Sequence, residues 1–215
     1  MPLPSAVQYS IMDKHVIITI GRQFGSGGKS IATAIGERLG IPVYDQELIL
    51  NAARKSGLSP EFIKGSDESR SLSRLGGILG LFRFWNNAGN PVGDNELFRI
   101  QSETIRELAQ QGSAVFVGRA SDYVLRDLDT FDVFLYAPLD VRKKRVAERM
   151  RISLEEAEEL IQKKDKARKD YYDLFTLGVN WGVASNYDLC LDSSLLGVEG
   201  TAELIIRFGK ECGRI

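Results

Sequence analysis

Four glycines, a lysine and two serines stand close together near the start of the chain, in the stretch GRQFGSGGKS (21–30). Glycine lets backbone N–H groups approach an anion closely, because no Cβ stands in the way. Lys29 could then reach the terminal phosphates of a nucleotide, and the hydroxyl of Ser30 could bind Mg²⁺. The pattern is close to the phosphate-binding loop G-x-x-x-x-G-K-[ST], although Gln23 stands at the position of its first glycine. The residues predicted to bind phosphate are Gly25, Ser26, Gly27, Gly28, Lys29 and Ser30.

Two further charged residues directly follow apolar runs that read as strands. Asp45 comes after PVY, where its carboxylate could contact a sugar or base, order a water on Mg²⁺, or cap the next helix. Arg119 comes after AVFVG, and the fork of its guanidinium suits a phosphate. A salt bridge from Arg119 to Asp122 or Asp45 is the alternative interpretation.

A third group of charges belongs to two predicted helices. Arg142, Arg145 and Arg149 share one helix face, and Asp165 and Arg168 lie one turn apart on the next helix. Such charges usually form a solvated surface. Beside a phosphate-binding loop they also suit a lid whose arginines close over a transferring phosphate.

The elements that must position these residues alternate along the chain. Short apolar runs predict strands at 16–20, 42–45, 114–118, 132–137 and 187–192. Helical patterns are found at 30–39, 47–55, 96–111, 141–150, 153–172 and 199–210, and Ser153 with Glu156 forms a capping box. This alternation predicts a parallel sheet with right-handed crossovers, whose ligands bind at the carboxyl ends of the strands.

A chain of 215 residues suits one α/β domain. We expect a single domain over 1–215, with a core at 14–58 and 112–215, an insert at about 59–111 and a lid at about 150–172. The glycine- and asparagine-rich segment 71–95 is too long for an ordinary connection. It could be a surface loop, a mobile flap over a substrate, or a subunit contact.

Composition excludes several classes of function. The net charge of −1 provides no overall field for nucleic acid or an anionic membrane. The chain has two cysteines, Cys190 and Cys212, which are too few for a disulfide framework. It has one histidine, His15, which cannot build a metal cluster. The apolar stretch 75–85 contains Arg83 and is too short to span a bilayer. We therefore expect a cytoplasmic protein with neither nucleic-acid nor membrane partners.

Taken in order, the motifs resemble nucleoside monophosphate kinases, and most closely the cytidylate kinase-like family. The resemblance spans about residues 16–208 and rests on ITIGRQFGSGGKS, LGIPVYDQELI, VFVGRASDYVL, FLYAPLDVRKKRVAER, KKDKARKDYY and NYDLCLDSSLLGVE. It implies a P-loop NTPase-type fold: a parallel sheet of about five strands flanked by helices, with a helical lid and a substrate-side insert. It also implies ATP as phosphoryl donor, Mg²⁺ as cofactor, and a small phosphorylated acceptor such as CMP.

The resemblance also assigns roles to single residues. It implies that Asp45 contacts the nucleotide sugar, and that Arg99 and Arg119 contact the substrate phosphate and base. Asp165 and Arg168 match the D-x-x-R of the family's lid, which touches cytidylate and phosphates. The residues expected to act in catalysis are Lys29, which holds the ATP phosphates, and Arg168 with Arg142 or Arg145, which neutralise developing charge.

Two departures from the family pattern fall on the acceptor side. Ala120 replaces the acid of the motif GRD, and YDQELI lacks a Ser-Gly pair and the arginine that follows it. The acceptor therefore stays open, and another small metabolite is an alternative to a nucleoside monophosphate. A nucleotide-binding regulatory protein without kinase activity is the other alternative. The apolar insert also leaves room for a homodimer contact.

Overall fold

Five parallel strands form a single sheet in the computed structural model, which describes residues 15–55 and 91–215. The strands are β1 (Ile17–Arg22), β2 (Val43–Tyr44), β3 (Ala114–Val117), β4 (Thr130–Tyr136) and β5 (Leu189–Asp192). Their order in the sheet is β2–β3–β1–β4–β5, with parallel pairing throughout. The predicted fold, a parallel sheet of about five strands flanked by helices, is confirmed.

Each of the six predicted helical segments is found, with shifted ends. The helices of the described residues are α1 (Gly28–Leu39), α2 (Gln46–Lys55), α3 (Pro91–Gln111), α4 (Ser121–Val124), α5 (Leu139–Met150), α6 (Leu154–Phe175) and α7 (Gly197–Glu211). The helix α4 was not predicted, because four residues are too few to show a helical period. The predicted capping box is confirmed: Ser153 Oγ accepts from the N–H of Glu156, whose carboxylate accepts from the N–H of Ser153.

The sheet separates two apolar layers. Because side chains alternate along a strand, Ile18 and Ile20 of β1 face one layer and Ile17 faces the other. The first layer contains buried residues of α1 and α7, and the second contains residues of α2, α3 and α4. Ile105 of α3 is fully buried in the second layer. The central strand β1 is thus covered on both faces, as expected for a parallel sheet.

The helices α5 and α6 form a separate unit at the carboxyl edge of the sheet. Val146, Ala157 and Ile161 make a small core between them, and Phe24 of the loop after β1 packs against it. The predicted lid at about 150–172 corresponds mainly to α6. Its closure over a ligand stays a prediction.

Several sequence-based expectations lie outside the described residues. Residues 1–14 and 56–90 are not described, and they contain most of the segment 71–95 and much of the expected insert. The helix α3, at the end of that insert, is described and packs on the sheet through Ile105 and Ala109. Among the described helices, none is both long and apolar enough to cross a membrane.

Candidate functional site

The loop between β1 and α1 leaves backbone N–H groups open to an anion. Gly25 and Gly27 both have φ of 83°, a left-handed conformation that glycine adopts without strain. Gly27 is the N-cap of α1, and no side chain caps this helix end. The first N–H groups of a helix lack partners within the helix, and the helix dipole favours negative charge there. The loop and helix therefore form a cradle that fits the phosphates of a nucleotide.

Gln23, at the position of the first glycine of the usual pattern, fixes the start of the loop. Its N–H donates to the carbonyl oxygen of Leu135 (2.9 Å), and its side-chain Oε1 accepts from the N–H of Ala137 (3.3 Å). Gln23 thus continues the pairing between β1 and β4 for one more residue. The loop begins from a fixed position as a result.

Ser26 is fully buried and holds the loop from the inside. Its hydroxyl donates to the carbonyl oxygen of Gln23 (2.9 Å), and its own carbonyl oxygen accepts from the hydroxyl of Ser193 (2.5 Å). Arg145 donates to the carbonyl oxygens of both Ser26 and Ser193 (3.3 Å each). The N–H of Ser26 also donates to the carbonyl oxygen of Gln23 (3.4 Å), so the side chain and the backbone of this predicted phosphate-binding residue both serve the loop.

Lys29 contacts Asp45 at the end of β2. Its ammonium lies 2.6 Å from Asp45 Oδ2, and its side chain is 73% exposed. The other carboxylate oxygen of Asp45 accepts from the N–H groups of Glu47 and Leu48 (3.1 and 3.2 Å). Asp45 therefore caps α2, which was one of its predicted roles. Burial acts to raise the pKa of Asp45, but the hydrogen bonds from Lys29 and the helix N–H groups outweigh it and lower the pKa.

Arg119 lies in a strained turn after β3. Gly118, Arg119 and Ala120 have φ of 72°, 62° and 52°, and such conformations cost the two non-glycine residues about 1–2 kcal/mol each. Arg119 donates to the side-chain oxygen of Gln46 (2.7 Å), and its guanidinium lies 4.8 Å from the ring centroid of Tyr171. Burial lowers its pKa. The chain thus holds Arg119 at the carboxyl edge between α2 and α6.

Asp165 and Arg142 tie the two lid helices to the loop. The carboxylate of Asp165 accepts from the N–H of Phe24 (2.6 Å) and from Arg142 Nη1 (2.5 Å). Arg142 is buried and also donates to the carbonyl oxygens of Ala137 (3.0 Å) and Phe24 (3.2 Å). Both residues were predicted to face a ligand. Their described contacts are instead with the protein, and they support a buttressing role.

Arg168 lies on the loop side of α6. It donates to the carbonyl oxygen of Arg22 (2.9 Å), and its guanidinium lies 5.5 Å from the ring centroid of Phe24. Burial lowers the pKa of Arg168 to about 10; Asp165 opposes the shift, and Arg119 and Arg149 add to it. Several arginines therefore meet beside the loop, as a site for a polyanion requires.

Arg99 is the predicted site residue that the structure places apart from the others. It lies on α3 with its side chain 55% exposed. Its guanidinium is paired with Glu96 (2.7 Å) and Glu103 (2.6 Å) on the same helix. Its predicted contact with a substrate phosphate would require these pairs to open.

The sequence patterns missed Arg22, Gln46 and Tyr171. Arg22 ends the central strand, and its guanidinium lies against Gly118. Gln46 and Tyr171 contact Arg119 from α2 and α6. No fixed spacing connects these residues, so no motif marks them. Only the position of Arg22, directly before the glycine-rich loop, could have drawn attention to it.

The donor set of this edge suits a magnesium ion that is bound mainly by phosphate. Among the described residues, no group of three or more His, Cys, Asp or Glu side chains could hold a metal ion. Mg²⁺ bound with a nucleotide keeps several waters and takes one or two protein ligands. Ser30, exposed in the first turn of α1, fits such a ligand.

Two concavities of the described surface differ in character. One of about 260 Å³ lies beside the loop and is lined by Lys29, Thr33, Val43, Asp45, Glu47 and Leu48. A groove of about 450 Å³ lies between α1 and α7, and none of the predicted site residues lines it. The chemistry of the chain therefore points to the first.

The chain matches the model of a known protein family. The model of the cytidylate kinase-like family matches residues 17–195. The cytidylate kinase of Methanopyrus kandleri is 31% identical over 202 residues, which cover 88% of this chain and 91% of that protein. The cytidylate kinase of Pyrococcus horikoshii is 28% identical over 192 residues, covering 88% of this chain and 86% of that protein.

Solved structures agree on the fold. An uncharacterized protein from Eubacterium ventriosum superposes with a TM-score of 0.70 at 29% identity, covering 92% of this chain and 99% of that one. The shikimate kinase of Bacteroides thetaiotaomicron superposes with a TM-score of 0.53 at 13% identity, covering 92% and 98%. The second similarity is one of fold alone.

Proposed function

The chain belongs to the cytidylate kinase-like family of P-loop kinases, and from this membership we propose that it transfers the γ-phosphoryl group of ATP to CMP. The observation that carries the proposal is the meeting of two features at one edge of the sheet. The uncapped loop of Gly25 and Gly27 lies beside the half-buried arginines Arg119 and Arg168. A cradle for one phosphate chain next to cations that suit a second phosphate is what such a transfer requires.

On the donor side, the backbone from Gly25 to Ser30 binds the ATP phosphates. Because β4 holds the loop in place, the loop loses little conformational entropy when the nucleotide binds. Mg²⁺, when bound with ATP, screens the phosphate charge, and Ser30 would hold it. Lys29 lies beside the loop, in the first turn of α1, and is paired with Asp45. When ATP binds, Lys29 exchanges this carboxylate for a phosphate.

On the acceptor side, Asp45 and Arg119 bind the nucleoside monophosphate. The carboxylate of Asp45 accepts hydrogen bonds from the sugar hydroxyls, and Arg119 binds the phosphate through its guanidinium. Gln46 and Tyr171 hold that guanidinium in place. The family resemblance adds Arg99 and Asp165, each of which has to leave its present partners to reach the acceptor.

The chemistry needs positioning and charge neutralisation more than proton transfer. An oxygen of the acceptor phosphate attacks the γ-phosphorus, the bond to the β–γ bridging oxygen breaks, and ADP leaves with the electron pair. The attacking oxygen is already ionised, so no general base is required. Arg168 neutralises charge that spreads over the transferring group, with Arg145 or Arg142 behind it. Closure of α5 and α6 would exclude water and suppress ATP hydrolysis.

A coupled assay that measures ADP release with each common nucleoside monophosphate tests the proposal. We expect the highest kcat/KM with CMP. Arg168→Ala should lower kcat about 100- to 1,000-fold with little change in ATP affinity, since it removes charge stabilisation of the transition state. Lys166→Ala, an exposed position on the same helix, is the matched control and should keep full activity.

Two results would contradict the proposal in different ways. Tight ATP binding without turnover of any monophosphate would indicate a regulatory nucleotide-binding protein. Turnover of a different small acceptor would keep the kinase and reject CMP. A homodimer, the absence of nucleic-acid partners and a cytoplasmic location stay predictions from the sequence.

A further inference from the structure

Arg22 occupies a central position at the candidate site. It is the last residue of β1, the middle strand of the sheet, and it directly precedes the phosphate-binding loop. Its backbone carbonyl accepts from Arg168, while its side chain extends across the edge of the sheet. A residue at this point can contact ligands on both sides of the edge.

Two glycines make room for the Arg22 side chain. A Cβ built on Gly28 would lie 2.8 Å from Arg22 Cγ and 2.9 Å from Arg22 Cβ. A Cβ built on Gly118 would lie 1.8 Å from Arg22 Nη1 and 2.8 Å from its Cζ. Gly28 does not have a positive φ, so the backbone alone would accept alanine at this position. The space taken by Arg22 is therefore the structural reason for glycine at 28.

The charges around Arg22 are mostly of its own sign. Burial lowers the pKa of Arg22, as do Arg168 and Arg119, and only Asp45 opposes the shift. The carboxylate of Asp45 is already engaged by Lys29 and by the N–H groups of α2. Among the residues that the structure describes, the Arg22 guanidinium has neither a hydrogen-bond acceptor nor an ion-pair partner within bonding distance. Because a half-buried cation surrounded by like charges is costly without an anion, this arrangement favours a bound polyanion.

The contacts place Arg22 between the donor and acceptor halves. Its stem lies on Gly28, at the start of the helix that binds the donor phosphates, and its head lies on Gly118, in the turn that positions Arg119. Lys29, the cation that the sequence pattern assigned to the terminal phosphates, is instead paired with Asp45 and 73% exposed. We propose that the Arg22 guanidinium contacts the phosphoryl group in transit between ATP and the acceptor, an inference that rests on the proposed function.

Arg22 would act as a catalytic residue without adding a bond or a proton to the proposed transfer. The γ-phosphorus gains a bond to the acceptor oxygen and loses its bond to ADP, and no proton moves. The planar fork of the guanidinium can bind two non-bridging oxygens at once. It thereby stabilises charge that is greatest while the group is between its two partners.

The test compares two substitutions of Arg22 with a matched control. Arg22→Met keeps the stem against Gly28 and removes the charge, and Arg22→Lys keeps a charge without the fork. The control, Arg38→Met, makes the same change at an exposed arginine on α1 that is paired with Glu199 (2.9 Å). A circular dichroism melt first shows whether each variant folds. Each variant is then assayed for kcat with ATP and CMP, and calorimetry measures its binding of inorganic tripolyphosphate.

We expect Arg22→Met to lower kcat about 100- to 1,000-fold and tripolyphosphate affinity about tenfold. Arg22→Lys should recover part of both, and Arg38→Met should stay within about twofold of the parent protein. If Arg22→Met does not fold, Gly28→Ala replaces it, because the added methyl displaces the Arg22 stem without removing its charge.

The possible outcomes separate this proposal from the proposed function. Unchanged kcat and unchanged tripolyphosphate affinity in Arg22→Met, or an unchanged kcat in Gly28→Ala, would overturn the role of Arg22. If the parent protein phosphorylates no monophosphate, the proposed function fails. A loss of tripolyphosphate binding confined to the Arg22 variants would then still support Arg22 as a phosphate contact.

Discussion

The proposed donor and acceptor halves of the site are built from different parts of the chain. The donor loop offers backbone N–H groups, and its glycines keep side chains away from the ligand. The acceptor edge offers side chains, Asp45 and Arg119, and each is held by a residue from another element. The first half depends on local backbone conformation, and the second on which elements meet. Each half should therefore fail in its own way when it is altered.

The lid helix α6 joins the two halves. On the donor side, Asp165 accepts from the N–H of Phe24, and on the acceptor side Tyr172 donates to Asp122. Tyr171 also contacts Arg119 across the same gap. Because one rigid helix contacts both sides, its closure over one ligand should also change the affinity for the other ligand. This arrangement suits an enzyme that must bring two phosphates together.

Among the substitutions that compare the two halves, Gly25→Ala should have the largest effect, because it breaks the donor half. The left-handed conformation costs alanine about 1–2 kcal/mol. The new Cβ would also lie 3.0 Å from Val146 Cγ2 and 3.1 Å from Arg142 Cβ, so the loop must shift. We expect ATP affinity to fall about 30- to 150-fold, measured by calorimetry, because the binding conformation becomes a minor state.

Gly40→Ala is the control for this substitution. Gly40 has φ of 66°, ends the same helix, and has no atom within 4 Å of an added Cβ. It should lower stability by about 1–2 kcal/mol in urea unfolding while ATP affinity stays constant. Equal losses of affinity in both variants would show that general instability, and not the loop, controls binding.

The same contrast explains what the sequence could predict. The strands, the helices and the loop follow from periodicity and from glycines, which act through neighbouring residues. Partners across the site do not: 73 residues separate Arg119 from Gln46, and 23 separate Arg142 from Asp165. The inward position of Arg142 and the direction of Arg22 depend on packing at the edge of the sheet, which no spacing in the sequence encodes.

Asp122→Asn tests the side-chain network of the acceptor half, with a smaller effect. Burial raises the pKa of Asp122 to about 6, although the hydrogen bond from Tyr172 opposes the shift. The folded protein therefore holds a proton that the unfolded chain releases above about pH 4. The stability contributed by the protonated acid is full below about pH 4 and is lost as pH rises through about 6. Asparagine has no proton to lose, so the variant avoids this loss.

Urea unfolding at several pH values measures the difference. Relative to Asp122→Asn, the parent protein should lose about 2 kcal/mol of unfolding free energy between about pH 4 and pH 7. Asp127→Asn, an exposed carboxyl in the following turn, should run parallel to the parent protein. A constant difference between the parent protein and Asp122→Asn across this range would show that Asp122 is ionised throughout.

Arg99→Ala should have the smallest effect and decides whether the acceptor half extends to α3. Arg99 is more than half exposed and paired within its own helix, and such pairs contribute about 0–1 kcal/mol to stability. We expect KM for CMP to stay within about threefold of the parent value in the coupled assay, since breaking the pairs offsets any phosphate contact.

Arg106→Ala, exposed on the same helix, is the control. A rise of KM for CMP of about tenfold or more in Arg99→Ala alone, with KM for ATP constant, would mean that α3 re-pairs Arg99 with the acceptor phosphate. The acceptor half would then be completed only when its ligand binds, whereas the donor loop is already formed.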